Sequence, residues 1–231
     1  MLPFTVCPVG DTAVLARFEQ RIAQEIGASV TALNLRIAKA KIPGVVETVP
    51  AFASLLVFYD PLQTDYDAVA SAVQALAQTA DGSASAGQGR LVEIPVCYGG
   101  NFGPDLPFVA KHADLSEQEV IARHAGREYR IYMLGFLPGF PYLGGLDERL
   151  FTPRLDTPRT VIPAGSVGIG GEQTGVYPIA SPGGWQLIGR TPLTLFDPGT
   201  GKLPYAAGDR IRFCPISEAE FAAIAQKEAR G

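Results

Sequence analysis

The chain has 231 residues, 47% hydrophobic and 18% charged, with 19 Lys and Arg against 23 Asp and Glu for a formal charge of −4. That length holds one large domain or two small ones around a real core, and the lack of a basic excess or a Lys/Arg cluster excludes a nucleic-acid footprint. Gly and Pro, 26 and 19 in number, follow no period, and no apolar run approaches the ~18 residues of a membrane span, so collagen-like, disordered and membrane-spanning classes fall away.

The N-terminus, MLPFTVCPVGDTAVL, has no basic stretch ahead of an apolar one, so no secretory signal is read and a cytoplasmic protein is expected. Residues 11–18 alternate as a short strand. Residues 18–40 carry Ile22, Ile26, Val30, Leu33 and Ile37 at helical spacing, and Pro43 and Gly44 stop that helix. Residues 45–49 and 53–59 read as two adjacent strands closed by Asp60-Pro61. Residues 66–76 return to helical spacing through Val69, Val73 and Leu76. The order βαββα predicts a small α+β domain over residues 1–80, with helices on one face of an antiparallel sheet. Residues 81–89, DGSASAGQG, have no apolar anchor and read as a linker.

Residues 90–231 read as a second, mainly β domain. A strand at 91–96 is followed by short helices at 107–112 and 117–125, the latter announced by Ser116 and Glu119 in capping-box spacing. Short β-rich runs follow at 129–134, 160–163, 167–169, 175–179, 185–190, 193–196 and 210–213, punctuated by Gly and Pro. This spacing predicts a closed barrel or sandwich. Residues 218–229 read as a surface helix.

Chemistry-bearing residues are few. Cys7, Cys97 and Cys214 are too far apart for a metal-ligand pair, and His112 and His124 are the only histidines, so no metal site is expected. Glycine-rich stretches lack the Lys-Ser/Thr ending of a P-loop and open no helix after a strand. The run 135–145, GFLPGFPYLGG, is expected to be a shaped loop, because prolines remove ladder donors and glycines weaken regular structure. Its Phe136, Phe140 and Tyr142 either pack beneath the loop or wall a pocket. Two Pro-Arg steps put Arg154 and Arg159 on a stiff connection, where each guanidinium fork suits a carboxylate or phosphate or pairs with a nearby acid. The run 163–175 can offer backbone amides with Ser166, Gln173 and Thr174 to an oxyanion, or simply turn tightly. His124 shares a helical face with Val120 and Ile121, as a core histidine or as a base, and His112, placed after Phe108, reads as structural. Trp185, the sole tryptophan, follows the turn 181–184 and caps a pocket or fills the barrel end.

Taken together, VCYGGNFGPDL, HAGREYRIYMLGFLPGFPYLGGLD, PRLDTPRTVIPAGSVGIGGEQTGVYP, SPGGWQLIGRTPLTLFDP and GDRIRF resemble the family of the B-type subunit of 5-oxoprolinase, also called allophanate hydrolase subunit 1. That family includes a Kip-type inhibitor of a sporulation histidine kinase. The resemblance extends to DTAVLARF and GVVETVPAFASLLVFYDP, hence over nearly the whole chain. It implies a cyclophilin-like β-barrel for the second domain. It also implies a subunit of an ATP-dependent 5-oxoprolinase that opens 5-oxo-L-proline to L-glutamate, working with a second cyclophilin-like subunit of the C type and a third of the A type. The alternative is a protein-binding inhibitor of a sensor histidine kinase. Under the enzyme reading, Arg159 or Arg154 anchors a substrate carboxylate or phosphoryl oxygen, Ser166 and Gln173 polarise the amide, and His124 shuttles a proton. Phe140, Tyr142 and Trp185 line the substrate pocket, with ATP bound in the complex and not necessarily by this chain.

Overall fold

The computed structural model describes residues 1–21, 23–78 and 89–229. The chain divides into two compact units, Met1–Gln88 and Gly89–Gly231. Ile22 and the linker expected at 81–89, Gly89 excepted, lie outside the described residues.

The first unit contains β1 (Thr5–Val9), β2 (Ala13–Arg17), α1 (Gln24–Ala40), β3 (Val45–Pro50), β4 (Ser54–Tyr59) and α2 (Tyr66–Gln78). Its sheet runs β1-β2-β4-β3, antiparallel throughout. Strand β1 is missing from the expected order because its sequence, TVCPV, is mostly solvent-facing and carries Pro8, which an edge strand tolerates without showing apolar alternation. Helix α1 starts at Gln24 rather than at residue 18, and Phe18 instead continues the central β2–β4 ladder by donating its N–H to the Ala53 carbonyl at 2.8 Å. Ile26, Val30, Leu33 and Ile37 of α1 and Val69 and Val73 of α2 close over Val14, Leu55 and Val57. Each such side chain contributes about 1.5–3 kcal/mol by leaving water.

The second unit contains β5 (Leu91–Tyr98), α3 (Leu106–Ala113), α4 (Glu117–Ala125), β6 (Tyr129–Leu134), β7 (Pro141–Gly144), β8 (Arg159–Ile162), β9 (Ser166–Gly170), β10 (Gln173–Val176), β11 (Ser181–Gly183), β12 (Gln186–Arg190), β13 (Arg210–Pro215) and α5 (Glu218–Glu228). Seven strands close a barrel in the order β10-β7-β6-β13-β5-β12-β9, completed by β9 against β10, while β8 and β11 form a separate ribbon. The β5–β13 pair is parallel and the others are antiparallel. Ile94, Val96, Ile131, Leu143, Val167, Ile169, Ile188, Ile211 and Phe213 fill the interior. The expected capping box of Ser116 with Glu119 opens α4, and a second one, Ser217 with Glu220, opens α5.

Two expectations fail here. Residues 141–144 are a barrel strand and not part of a loop, because Pro141 occupies the strand's first position and Gly144 leaves room for the Tyr132 ring, 2.1 Å from where a Cβ would stand. Residues 193–196 form no strand: between Pro192 and Pro198 the Leu193 and Thr194 amides bond the Thr191 hydroxyl and the Glu228 carboxylate instead of a strand, and Leu195 is buried in the barrel core.

Candidate functional site

The loop between β6 and β7 is held by its own backbone. Gly135 donates its N–H to the Phe140 carbonyl at 3.1 Å, and Phe140 donates to Leu137 at 3.0 Å. Leu137 donates to Gly135 at 2.7 Å, a γ-turn whose central residue, Phe136, has φ 65°. An aromatic residue in that region is strained, and such strain persists where surrounding structure over-determines it. The Phe136 ring is held in the open, 65% exposed, edge-on to Phe140.

Phe140 is the hub of an aromatic cluster. Besides Phe136 it meets Tyr142 and Tyr177 with ring centres 5.3 Å away and Trp185 at 5.6 Å, all near perpendicular, which is the arrangement that ring quadrupoles favour. The glycine-rich strands β9 and β10 make room for these rings. A Cβ on Gly170 would lie 2.4 Å from the Trp185 indole, and one on Gly175 would lie 3.0 Å from Phe140 and 3.1 Å from Trp185. Close ring packing therefore accounts for these glycines. The expected oxyanion nest is not formed, since residues 166–170 and 173–176 are paired in the barrel and Gly171 donates to the Thr152 carbonyl.

Above the cluster lies a cavity of about 350 Å³. Phe136, Phe140, Tyr142, Tyr177 and Trp185 form its aromatic wall, Pro158, Pro182, Gly183 and Gly184 its sides, and Arg154 its cationic rim. Arg154 is exposed, and no carboxylate among the described residues pairs with it. Burial raises the Tyr177 phenol to about 12 and raises that of Tyr142, while Arg154 pulls both back down. Both phenols therefore stay neutral near pH 7. Flat apolar faces beside one guanidinium suit a small planar anion, with the ring stacked and the charge held at the rim.

Of the sequence-expected residues, the fold brings Phe140, Tyr142, Trp185 and Arg154 to this cavity and leaves four elsewhere. His124 is fully buried in the barrel. Its Nδ1 lies 2.8 Å from the Tyr98 hydroxyl and its Nε2 2.8 Å from Thr174 Oγ1, which in turn donates to the Gly168 carbonyl at 3.0 Å. Desolvation pushes its pKa down to about 3. A satisfied neutral core histidine is the result, set away from the cavity rather than among its lining residues.

Arg159 forms a 2.7 Å ion pair with Asp105 and reaches the Trp185 carbonyl at 3.4 Å, so it stands behind the wall rather than at the cavity. Ser166, at 2% exposure, belongs to the barrel wall, and its carbonyl receives the Tyr177 N–H. Gln173 opens β10 with its buried Nε2 unbonded, but it does not line the cavity. Sequence reasoning missed Tyr177, which sits one residue beyond β10; it left Phe136 open between packing beneath the loop and walling a pocket, and the structure puts it in the wall, its exposure resting on a backbone angle that no residue pattern announces.

Among the described residues no group of three His, Cys, Asp or Glu is placed to hold a metal, and no helix is long and apolar enough to cross a membrane. His112, expected in a structural position, is exposed and stacked on Phe108.

Residues 4–205 match the model of the carboxyltransferase domain, subdomain C and D. The chain is 46% identical to the B-type subunit of 5-oxoprolinase from Bacillus subtilis, with 95% of each chain covered. It is 44% identical to the corresponding 5-oxoprolinase subunit of Escherichia coli O157:H7, covering 91% of this chain and 95% of that one. In fold alone it is similar to the urea carboxylase of Kluyveromyces lactis, with a TM-score of 0.79 at 22% identity over 99% of this chain but 23% of that much longer one. With most of its length matched both by the domain model and by these relatives, the chain belongs to the family of B-type 5-oxoprolinase subunits, a branch of the carboxyltransferase domains.

Proposed function

We propose that this chain is a subunit of an ATP-dependent 5-oxoprolinase that opens 5-oxo-L-proline to L-glutamate in the cytoplasm, active only with a second barrel subunit of the C type and a third subunit of the A type. The observation that carries the reading is the aromatic cavity with Arg154, unpaired with any described carboxylate, at its rim. 5-Oxoproline is a flat five-membered lactam bearing one carboxylate. Its ring matches the faces of Phe140, Tyr142 and Trp185, and its carboxylate matches the Arg154 fork. The barrel is assigned as cyclophilin-like in the same reading.

Amide resonance and easy ring closure both oppose hydrolysis. Phosphoryl transfer from ATP to the lactam oxygen removes the resonance. Water then adds at the ring carbonyl carbon, the C–N bond breaks with its nitrogen taking a proton, and a second water releases phosphate. The sum is 5-oxoproline, ATP and two waters giving glutamate, ADP and phosphate. One guanidinium is too little positive charge for a triphosphate, so ATP is allotted to the assembled complex and this chain's part is to bind and orient the lactam.

The test is 5-oxoproline-dependent ADP release by the three co-purified subunits, with the mixture lacking this chain as control. Release that requires this chain, and that falls when Arg154 is replaced, supports the reading. A folded, fully assembled mixture without turnover rejects it in favour of the kinase-inhibiting module.

A further inference from the structure

Asp105 stands at the N-cap of α3, where a carboxylate ordinarily accepts the free amides of its own helix, yet it makes no such bond. Its carboxylate is directed across to the strands behind the cavity. Oδ1 takes the Arg159 guanidinium at 2.7 Å, and Oδ2 takes the Leu187 N–H at 2.6 Å, while the Asp105 N–H donates to the Leu187 carbonyl at 2.9 Å. Leu187 lies two residues past Trp185, and Arg159 touches the Trp185 carbonyl itself. The approach is close enough that a Cβ on Gly103 would stand 2.0 Å from the Ile188 carbonyl oxygen. Asp105 is 13% exposed at its side chain and Arg159 30%, so water screens the pair only partly.

We infer that Asp105 is a positioning residue: through Arg159 and the start of β12 it sets where the Trp185 wall of the cavity stands, and so sets the fit of the lactam ring. It touches no substrate. Three bonds converge on residues 185–187, one from the Asp105 carboxylate, one from its backbone N–H and one from the Arg159 that the carboxylate holds, and a side chain that forgoes its own helix cap for Leu187 and Arg159 serves the wall rather than the helix. The link from wall to substrate rests on the oxoprolinase reading, whereas the link from Asp105 to Trp185 does not.

The test has two arms. Trp185 is the chain's only tryptophan, so its emission and acrylamide quenching in the isolated full chain report the wall directly. Asp105→Asn keeps an oxygen for Leu187 but loses the charge that holds Arg159, and Arg159→Lys keeps the charge but loses the fork. The expected result for D105N is red-shifted emission and quenching raised about twofold, with KM for 5-oxoproline in the assembled enzyme raised about fivefold or more and kcat within about twofold. R159K shifts the same readings less. A folded D105N with unchanged quenching overturns the proposal, as does changed quenching with unchanged KM, or a lowered melting temperature alone. If D105N does not fold, R159K is read by the same criteria. Should the wild-type complex release no ADP, the oxoprolinase reading fails by itself, and quenching still decides whether Asp105 holds Trp185.

Discussion

His124 Nε2 lies 2.8 Å from Thr174 Oγ1 in the barrel interior, and because that hydroxyl donates onward to the Gly168 carbonyl, the histidine must be the donor between the two. The Tyr98 hydroxyl then donates to Nδ1. The chain Tyr98, His124, Thr174, Gly168 is satisfied with the imidazole neutral, and burial penalises its charged form.

A pH dependence of stability follows. Burial pushes the folded-state pKa from 6.5 down to about 3, so between those values the unfolded chain binds a proton that the native chain does not. Stability from this group is complete above pH 6.5 and is lost as pH falls, by on the order of 2 kcal/mol between pH 6.5 and 4.5 at 1.36 kcal/mol per pKa unit. Asp147 and Asp209, depressed from 3.8, act below this window, whereas Glu25, Glu119 and Glu220, depressed from 4.5, also cost stability at its acid end, so the His124 part is the difference in slope between wild type and a variant without the imidazole. Urea melts at pH 7.0, 5.5 and 4.5 on wild type and His124→Gln measure the slope. Equal slopes in the two would remove His124 as its source.

Arg154 is exposed and unpaired with any carboxylate of the described residues, so removing it leaves no charge stranded. Arg154→Ala is expected to change stability by less than about 0.5 kcal/mol, as ordinary surface substitutions do. It is expected to raise KM for 5-oxoproline by about tenfold or more, since a charge-assisted pair of about 1.5–3 kcal/mol is lost. Arg154→Lys recovers only part of this. Steady-state ADP release with substrate varied is the measurement, and an unchanged KM in the alanine variant would take Arg154 out of the site.

Phe136 trades a strained backbone for an exposed ring. A left-handed conformation costs a non-glycine residue about 1–2 kcal/mol, and glycine returns about 0.5–1 kcal/mol of that as chain entropy. Phe136→Gly is therefore expected to leave the melting temperature within a few degrees of wild type despite deleting an aromatic side chain, while KM rises severalfold. A thermal scan beside the kinetic assay checks both. A large fall in melting temperature would mean that the ring is structural.

Gly170 is the position where indole and backbone approach most closely. Gly170→Ala places a methyl 2.4 Å from the indole, so Trp185 must shift against the cluster it packs in or toward the cavity it lines. The expected cost is about 1–3 kcal/mol, as for overpacked cores, with a shifted tryptophan emission. Gly171→Ala is the control for space alone: it meets nothing within 4 Å but carries φ 64°, so it should lower stability through backbone strain without moving the emission. Identical emission in both variants would refute the packing account of Gly170.

The short-range features were legible in the residues themselves. Helix α4 begins where Ser116 and Glu119 predict, α2 follows Val69 and Val73, β4 lies where its apolar run predicts, and Phe136, Phe140 and Tyr142 were visible as a crowd of aromatics between prolines and glycines. These depend on neighbours within a few residues, whose sterics and hydrogen bonds are written locally. Tertiary structure decided the rest. Edge strand β1 shows no pattern because three of its five residues are exposed and none is fully buried, and the barrel closes by laying β13 parallel to β5, Arg210 against Leu91. The two Pro-Arg steps look alike in sequence, yet Asp105, 54 residues before Arg159, captures that guanidinium and leaves Arg154 at the cavity. Which charge is spent inside the fold and which remains for a ligand depends on where a distant carboxylate arrives, and only the path of the whole chain fixes that.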